Sequence, residues 1–187
     1  MNGATPASRF ADIPVRVFLD SSTLQVMLTY GGFLYENEAL ARNDAVGRDP
    51  HGIAKLEALR SIVQVAERAP FEFAVSERSL AEVNAAGDRR YLQWAYDVLD
   101  HWLSFDADEL RLPPPVRSAL DDRKFGYLGA GDRGLLNDAI ALGCQAFLTM
   151  ENRLPKNARH IQANSGLQVL TPIEMWAMLA PWAALFR

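Results

Sequence analysis

The sequence predicts an α/β protein of three layers, α/β/α, with a central parallel sheet of about five strands. Three observations lead there. Short runs rich in β-branched and aromatic residues recur along the chain, residues that start helices follow them, and the stretches between carry apolar side chains at three-and-four spacing. Short apolar strands alternating with amphipathic helices imply a parallel sheet covered on both faces. The chain has 187 residues, 49% of them hydrophobic, enough to build a core without disulfides. No repeat or linker-like tract divides it, so a single domain over 1–187 is expected.

The first 12 residues have no apolar core of signal-peptide length and read as a flexible arm. Residues 15–19 (VRVFL) form a first strand that ends at Asp20, and Ser21 and Ser22 start a helix. Residues 50–68 carry Ile53, Leu56, Leu59, Ile62, Val63 and Ala66 at helical spacing. A second strand follows over 71–75, with Ser76 capping a helix that runs through Val83. Residues 88–99 repeat the helical pattern, 101–105 make a short third strand, and 113–125 form a helix with prolines at its start. The last third reads as a helix over 132–143, a strand over 146–149, a short strand at Val169 and Leu170, and a terminal helix opened by Thr171-Pro172.

Nineteen Lys plus Arg against 23 Asp plus Glu give a net charge of −4, the wrong sign for coating nucleic acid through bulk electrostatics. Any nucleic-acid contact must be local. Cys144 is the only cysteine, which rules out an intramolecular disulfide, argues against a cysteine zinc site and suits a reducing, cytoplasmic setting. The most apolar segment, 175–186, is broken by Pro181 and falls short of the roughly 20 residues of a membrane span. It is expected to be a packing or partner surface, a homodimer contact included. Trp94, Trp102, Trp176 and Trp182 are assigned to core or interface, and the scattered His51, His101 and His160 receive no role.

In a parallel α/β sheet, ligands bind beyond the carboxyl ends of the strands. Asp20 stands there after the first strand, and Glu151 two residues past Thr149. Asp132 stands at the start of the long helix, where exposed amides favour a carboxylate. At about 100° per residue, Asp132 shares a direction with Leu135, Leu136, Ala139 and Gly143, whereas Asp138 points elsewhere and is expected to be a solvated or flanking acid. Glu82 lies among apolar neighbours in SLAEV. Two bare carboxylates about 4 Å apart repel by roughly 4 kcal/mol at an effective dielectric near 20. Four together need a compensating cation, and hard ions such as Mg²⁺ or Mn²⁺ suit oxygen ligands.

The segments VFLDSS around Asp20, VSERSLAEV around Glu82 and GDRGLLNDAIALGCQAFLTMENRL over 131–154 resemble, in order, the acidic motifs of PIN-domain nucleases. The resemblance covers most of the chain, with residues 31–55 as an insertion. It implies that Asp20, Glu82 and Asp132 are metal-binding and catalytic acids, with Glu151 where the family has Asp, and that Ser22 and Thr149 brace the site. Asn152 could substitute as a neutral ligand. Arg123, Lys124, Arg133, Arg153, Lys156 and Arg159 bracket the pocket in sequence; Arg133, Arg153 and Lys156 are the candidates for substrate phosphates. The implied activity is metal-dependent hydrolysis of RNA, with a toxin held by an antitoxin-like partner as one biological form. A non-catalytic binding or regulatory module with the same pocket is the alternative, kept open by Glu151.

Two competing explanations use the same residues. Singly, Asp20 or Asp132 could cap a helix, Glu82 could pair with an Arg, and Glu151 could be a loop charge. In addition, Gly129, Gly131 and Gly134 form a literal G-x-G-x-x-G at a helix start, the pattern of a dinucleotide-binding turn, although 124–128 makes a poor strand.

Overall fold

A computed structural model describes residues 9–40, 45–85, 103–105 and 125–186. Its sheet is entirely parallel, built from β1 (Arg16–Leu19), β2 (Glu72–Ser76), β3 (Leu103–Phe105), β4 (Ala146–Leu148) and β5 (Gln168–Leu170) in the spatial order β3-β2-β1-β4-β5. The side chains of β2, β1, β4 and β5 are described; β3 is a three-residue edge known by its pairing with β2. The helices are α1 (Ser21–Thr29), α2 (Gly31–Tyr35), α3 (Gly52–Ala66), α4 (Glu77–Ala85), α5 (Ala130–Ala141), α6 (Ala158–Ser165) and α7 (Pro172–Leu179). Residues 88–99, 101–102 and 113–124, with Trp94, Trp102, His101, Arg123 and Lys124, lie outside the described residues.

Alternation along the strands divides the interior in two. Val17, Leu19, Phe73, Val75, Ala146 and Leu148 face one core, filled from α1, α3 and α7 by Leu24, Met27, Leu56, Leu59, Ile62, Met175 and Leu179. Phe18, Ala74, Phe147 and Val169 face the other, closed by Leu135, Leu136, Ala139 and Ile161 from α5 and α6. Helices therefore cover both faces. Phe18 and Phe147 stack at 5.3 Å between centroids, tying the two central strands together on the second face. Each such fully buried side chain contributes about 1.5–3 kcal/mol.

Local chemistry sets several boundaries. Thr171 and Glu174 form the capping box of α7, with Pro172 in its first turn, as the sequence suggests. Pro181 has no amide to continue the helix, and the chain tightens to a 3-10 helix over Ala180–Phe186. Gly166, at φ 77°, supplies the left-handed residue that ends α6. Gly52 opens α3 where the Val46 carbonyl leaves no room for a Cβ. The expected N-terminal arm is docked from residue 9 onward: Phe10–Asp12 form a turn braced by the Arg9–Asp12 ion pair, and the Phe10 ring packs edge-on against Trp182 at 5.5 Å. Trp176 and Trp182 pack on the first core, in keeping with their assignment. Among the described residues, no helix is long and apolar enough to cross a membrane.

Candidate acidic site

The strand order reverses at β1, which has β2 on one side and β4 on the other, so a crevice opens beyond the carboxyl ends of β1 and β4. Asp20 sits at that point. It is buried, and its Oδ2 accepts hydrogen bonds from the hydroxyls of Ser22, at 2.7 Å, and Thr149. Its Oδ1 accepts from the Ser22 amide at 3.3 Å, so Asp20 is also the N-cap of α1. The two hydroxyls extend the brace to the β4 loop: Met150 N donates to Ser22 Oγ and Glu151 N to Thr149 Oγ1. Ser22 and Thr149 thus fix Asp20 and the backbone leading to Glu151 in one network.

Glu82 joins this corner from α4. Ser21 Oγ lies 2.9 Å from Glu82 Oε2 and 3.1 Å from Asp20 Oδ1. One hydroxyl proton serves only one of them at a time, so two carboxylates compete for a single donor. Glu82 is exposed, on the flank of α4 beside buried Ser79 and Val83, instead of lying within the packing face as its apolar neighbours suggest. Among the described residues it makes no ion pair, which removes its simplest structural explanation. Ser76 and Ser79 set the entry of α4: Ser76 N donates to Ser79 Oγ, and Ser79 N to Ser76 Oγ.

Helix α5 begins two residues earlier than expected, with Gly129 at its N-cap, so Asp132 is its third residue and is partly exposed in the first turn. The glycines around it make room for side chains. A Cβ at Gly131 would lie 3.2 Å from Glu82 Oε1, and one at Gly134 would meet the Arg78 guanidinium at 2.7 Å. Residues 126–128 form a turn, not a strand, and the space above the glycines is taken by Glu82 and Arg78. The strand that a dinucleotide-binding turn follows is thus absent from 126–128.

Asp138 corrects the helical-face expectation. It is buried, accepts from Ser76 Oγ at 2.8 Å, and pairs with Arg78 at 3.3 Å. The buried stripe of α5 is broader than the sheet contact alone, because α4 covers a second flank where Asp138 points. Burial raises the Asp138 carboxyl above the usual range, offset in part by Ser76 and Arg78.

Glu151 faces the same space from the β4 loop. Its carboxyl is raised by desolvation first and then by the charges of Asp20 and Asp132, with Arg153 opposing and Glu82 adding to the rise. Asp20, Asp132 and Glu82, from three other chain segments, thus all lie near enough to act on Glu151. Asp132 and Glu151 share an open cavity of about 780 Å³ with Tyr127, Arg153 and Lys156. Arg133 is not on its wall: its guanidinium donates to the Leu128 carbonyl at 3.1 Å and, more weakly, to Phe125, latching α5 to the preceding turn. Arg159 lies on α6, outside the cavity lining. Among the described residues, no three His, Cys, Asp or Glu side chains converge tightly enough to grip an ion as they stand. Asp132 and Glu151 line the open cavity, and Asp20 and Glu82 lie outside its lining.

Asn152 lines the cavity as well, with its amide partly engaged. Its Oδ1 accepts from Lys55 at 2.7 Å and is turned toward α3. Lys55 is almost wholly buried and donates in addition to the Met150 carbonyl at 2.6 Å and to Asp49 at 3.2 Å. It clamps the residues on either side of Glu151. The sequence held a signal for it: Lys55 lies at helical spacing from Leu59 and Ile62, and a lysine on an apolar stripe needs a partner. A scan against family models, a search of curated proteins and a search of solved structures each found no match to this chain.

Proposed function

We propose that this chain is a PIN-like, metal-dependent ribonuclease. The observation that carries the reading is the approach of Asp20, Glu82 and Asp132 to Glu151, from four segments, near the point where the sheet order reverses. These four would hold Mg²⁺ or Mn²⁺. The donor set fits such an ion: it is anionic and all oxygen, and the charges of Asp20 and Asp132 add to the rise that desolvation gives Glu151. A bound ion supplies a more acidic water and countercharge for a leaving oxygen. The chain's own residues do the rest. Ser22 and Thr149 hold Asp20 in one orientation, Ser21 links it to Glu82, and Arg153 and Lys156 on the cavity wall would hold phosphates of the RNA on either side of the scissile bond. A toxin restrained by an antitoxin-like protein is one form this activity takes.

The runner-up is a non-catalytic module with the same pocket, favoured by acids that, among the described residues, do not converge on one point and by Glu151 in place of Asp. Incubating the purified protein with end-labelled single-stranded RNA, in Mn²⁺ or in chelator, separates the two. Metal-dependent cleavage supports the nuclease; intact RNA despite measurable Mn²⁺ binding supports the module.

Repulsion among the acids yields a stability test. Asp132→Asn is expected to raise the melting temperature in chelator by about 1–3 °C and to weaken the stabilisation given by Mn²⁺. Asp138→Asn, which keeps an acceptor for Ser76, is expected to leave the Mn²⁺ response intact. Scanning calorimetry with and without Mn²⁺ reads both, and a reversed result would move the site from Asp132 to Asp138.

A further inference from the structure

Resting on the RNA reading above, we infer that Tyr127, backed by Phe125 and His160, is a stacking subsite for an unpaired nucleobase of the substrate strand. An exposed tyrosine on a turn is ordinary by itself. Three observations set this one apart. Its ring is 52% exposed yet belongs to an aromatic group: Phe125, fully buried, lies 6.1 Å away, His160 lies 6.0 Å away, and those two are 5.1 Å apart. The group is anchored from below, because Phe125 belongs to the second core and Arg133 latches the same turn through the Phe125 and Leu128 carbonyls. Finally, Tyr127 lines the cavity that contains Asp132 and Glu151, with Arg153 and Lys156 also on its wall.

An aromatic face beside a cationic wall is how sequence-tolerant single-strand sites are built: the cations follow the phosphates and the ring takes a base. A ring fixed before binding loses little freedom when a base settles on it. The base must be unpaired, since in a duplex both its faces are already stacked. Tyr127 would therefore favour single strands over duplexes and show little preference among bases, while setting which phosphate reaches the acids.

The test is binding of a fluorescein-labelled eight-nucleotide uridine-rich RNA, followed by anisotropy in chelator so that no cleavage intervenes. An abasic strand of the same length serves as the second probe. Tyr127→Ala is expected to weaken binding of the intact RNA roughly tenfold, whereas Tyr127→Phe stays within about twofold. The abasic strand binds wild type and Tyr127→Ala alike. Equal binding of intact RNA by wild type and Tyr127→Ala would overturn the subsite, as would an equal loss in Tyr127→Phe, which would point to the hydroxyl. Cleavage by the same preparations in Mn²⁺ is scored separately. Tyr127-dependent binding without cleavage keeps the subsite and removes the nuclease; cleavage without dependence on Tyr127 does the reverse; wild type that neither binds nor cleaves the RNA removes both.

Discussion

Asp20→Asn is expected to abolish metal-dependent RNA cleavage, by at least about 100-fold, while leaving the fold in place. Loss of a partner one layer removed from a metal typically costs 10–100-fold, so a residue proposed to touch the ion should cost no less. The fold should survive because of how Asp20 is held. The Ser22 amide donates and cannot reverse, but Asn can keep its carbonyl oxygen toward that amide. Its new amino group then faces the hydroxyls of Ser22 and Thr149, which can rotate to accept. Cleavage rates, with melting temperatures measured on the same samples, check this. Retained cleavage in a folded Asp20→Asn protein would remove Asp20 from the chemistry, and joint loss of both would make it a structural cap.

Lys55→Ala should produce the largest loss of stability, about 2–4 kcal/mol, because it empties the space of a buried stem and removes the donor of three hydrogen bonds to partly exposed partners. Lys55 reaches the Met150 carbonyl, Asn152 and Asp49 from a site almost closed to solvent. Against a total of about 5–15 kcal/mol for a typical domain, that is a large share. Lys55→Met restores the stem's packing but none of the bonds, so comparing the two in urea denaturation divides packing from polar contacts. The pH dependence follows from Asp49, held below the usual carboxylate range by the His51 amide first and by Lys55 and Asn152 in smaller part. Its contribution is present at neutral pH and is lost as pH falls through its lowered pKa.

Much of the fold was legible because burial writes a period into the chain. The apolar run before Asp20, the stripe of α3 and the Thr171-Pro172 helix start each report a local rule that the tertiary structure then obeys. The site was legible in outline for a related reason, since strand ends and helix starts are where a parallel sheet gathers its ligands. The failures involve neighbours that one helix cannot reveal. Asp138 looked solvated from α5 alone, yet α4 lies against that flank and brings Ser76 and Arg78 to it. Arg133 looked available to a ligand, but the turn at 125–128 engages it, and Asn152 stays on the cavity wall while its oxygen serves Lys55. Tyr127 lies in a turn with no period to mark it, and only the fold sets it at the lip of the cavity.

The bare hydrogen of Gly134 has a consequence for a buried charge. Arg78 from α4 rests on it and reaches Asp138 on the next turn of α5. Those helices carry Glu82 and Asp132. A methyl group at 134 would push that guanidinium, the free end of a half-exposed side chain, off its seat and strip buried Asp138 of its cation, so one small residue keeps a charge neutralised beneath the helices that carry the acids.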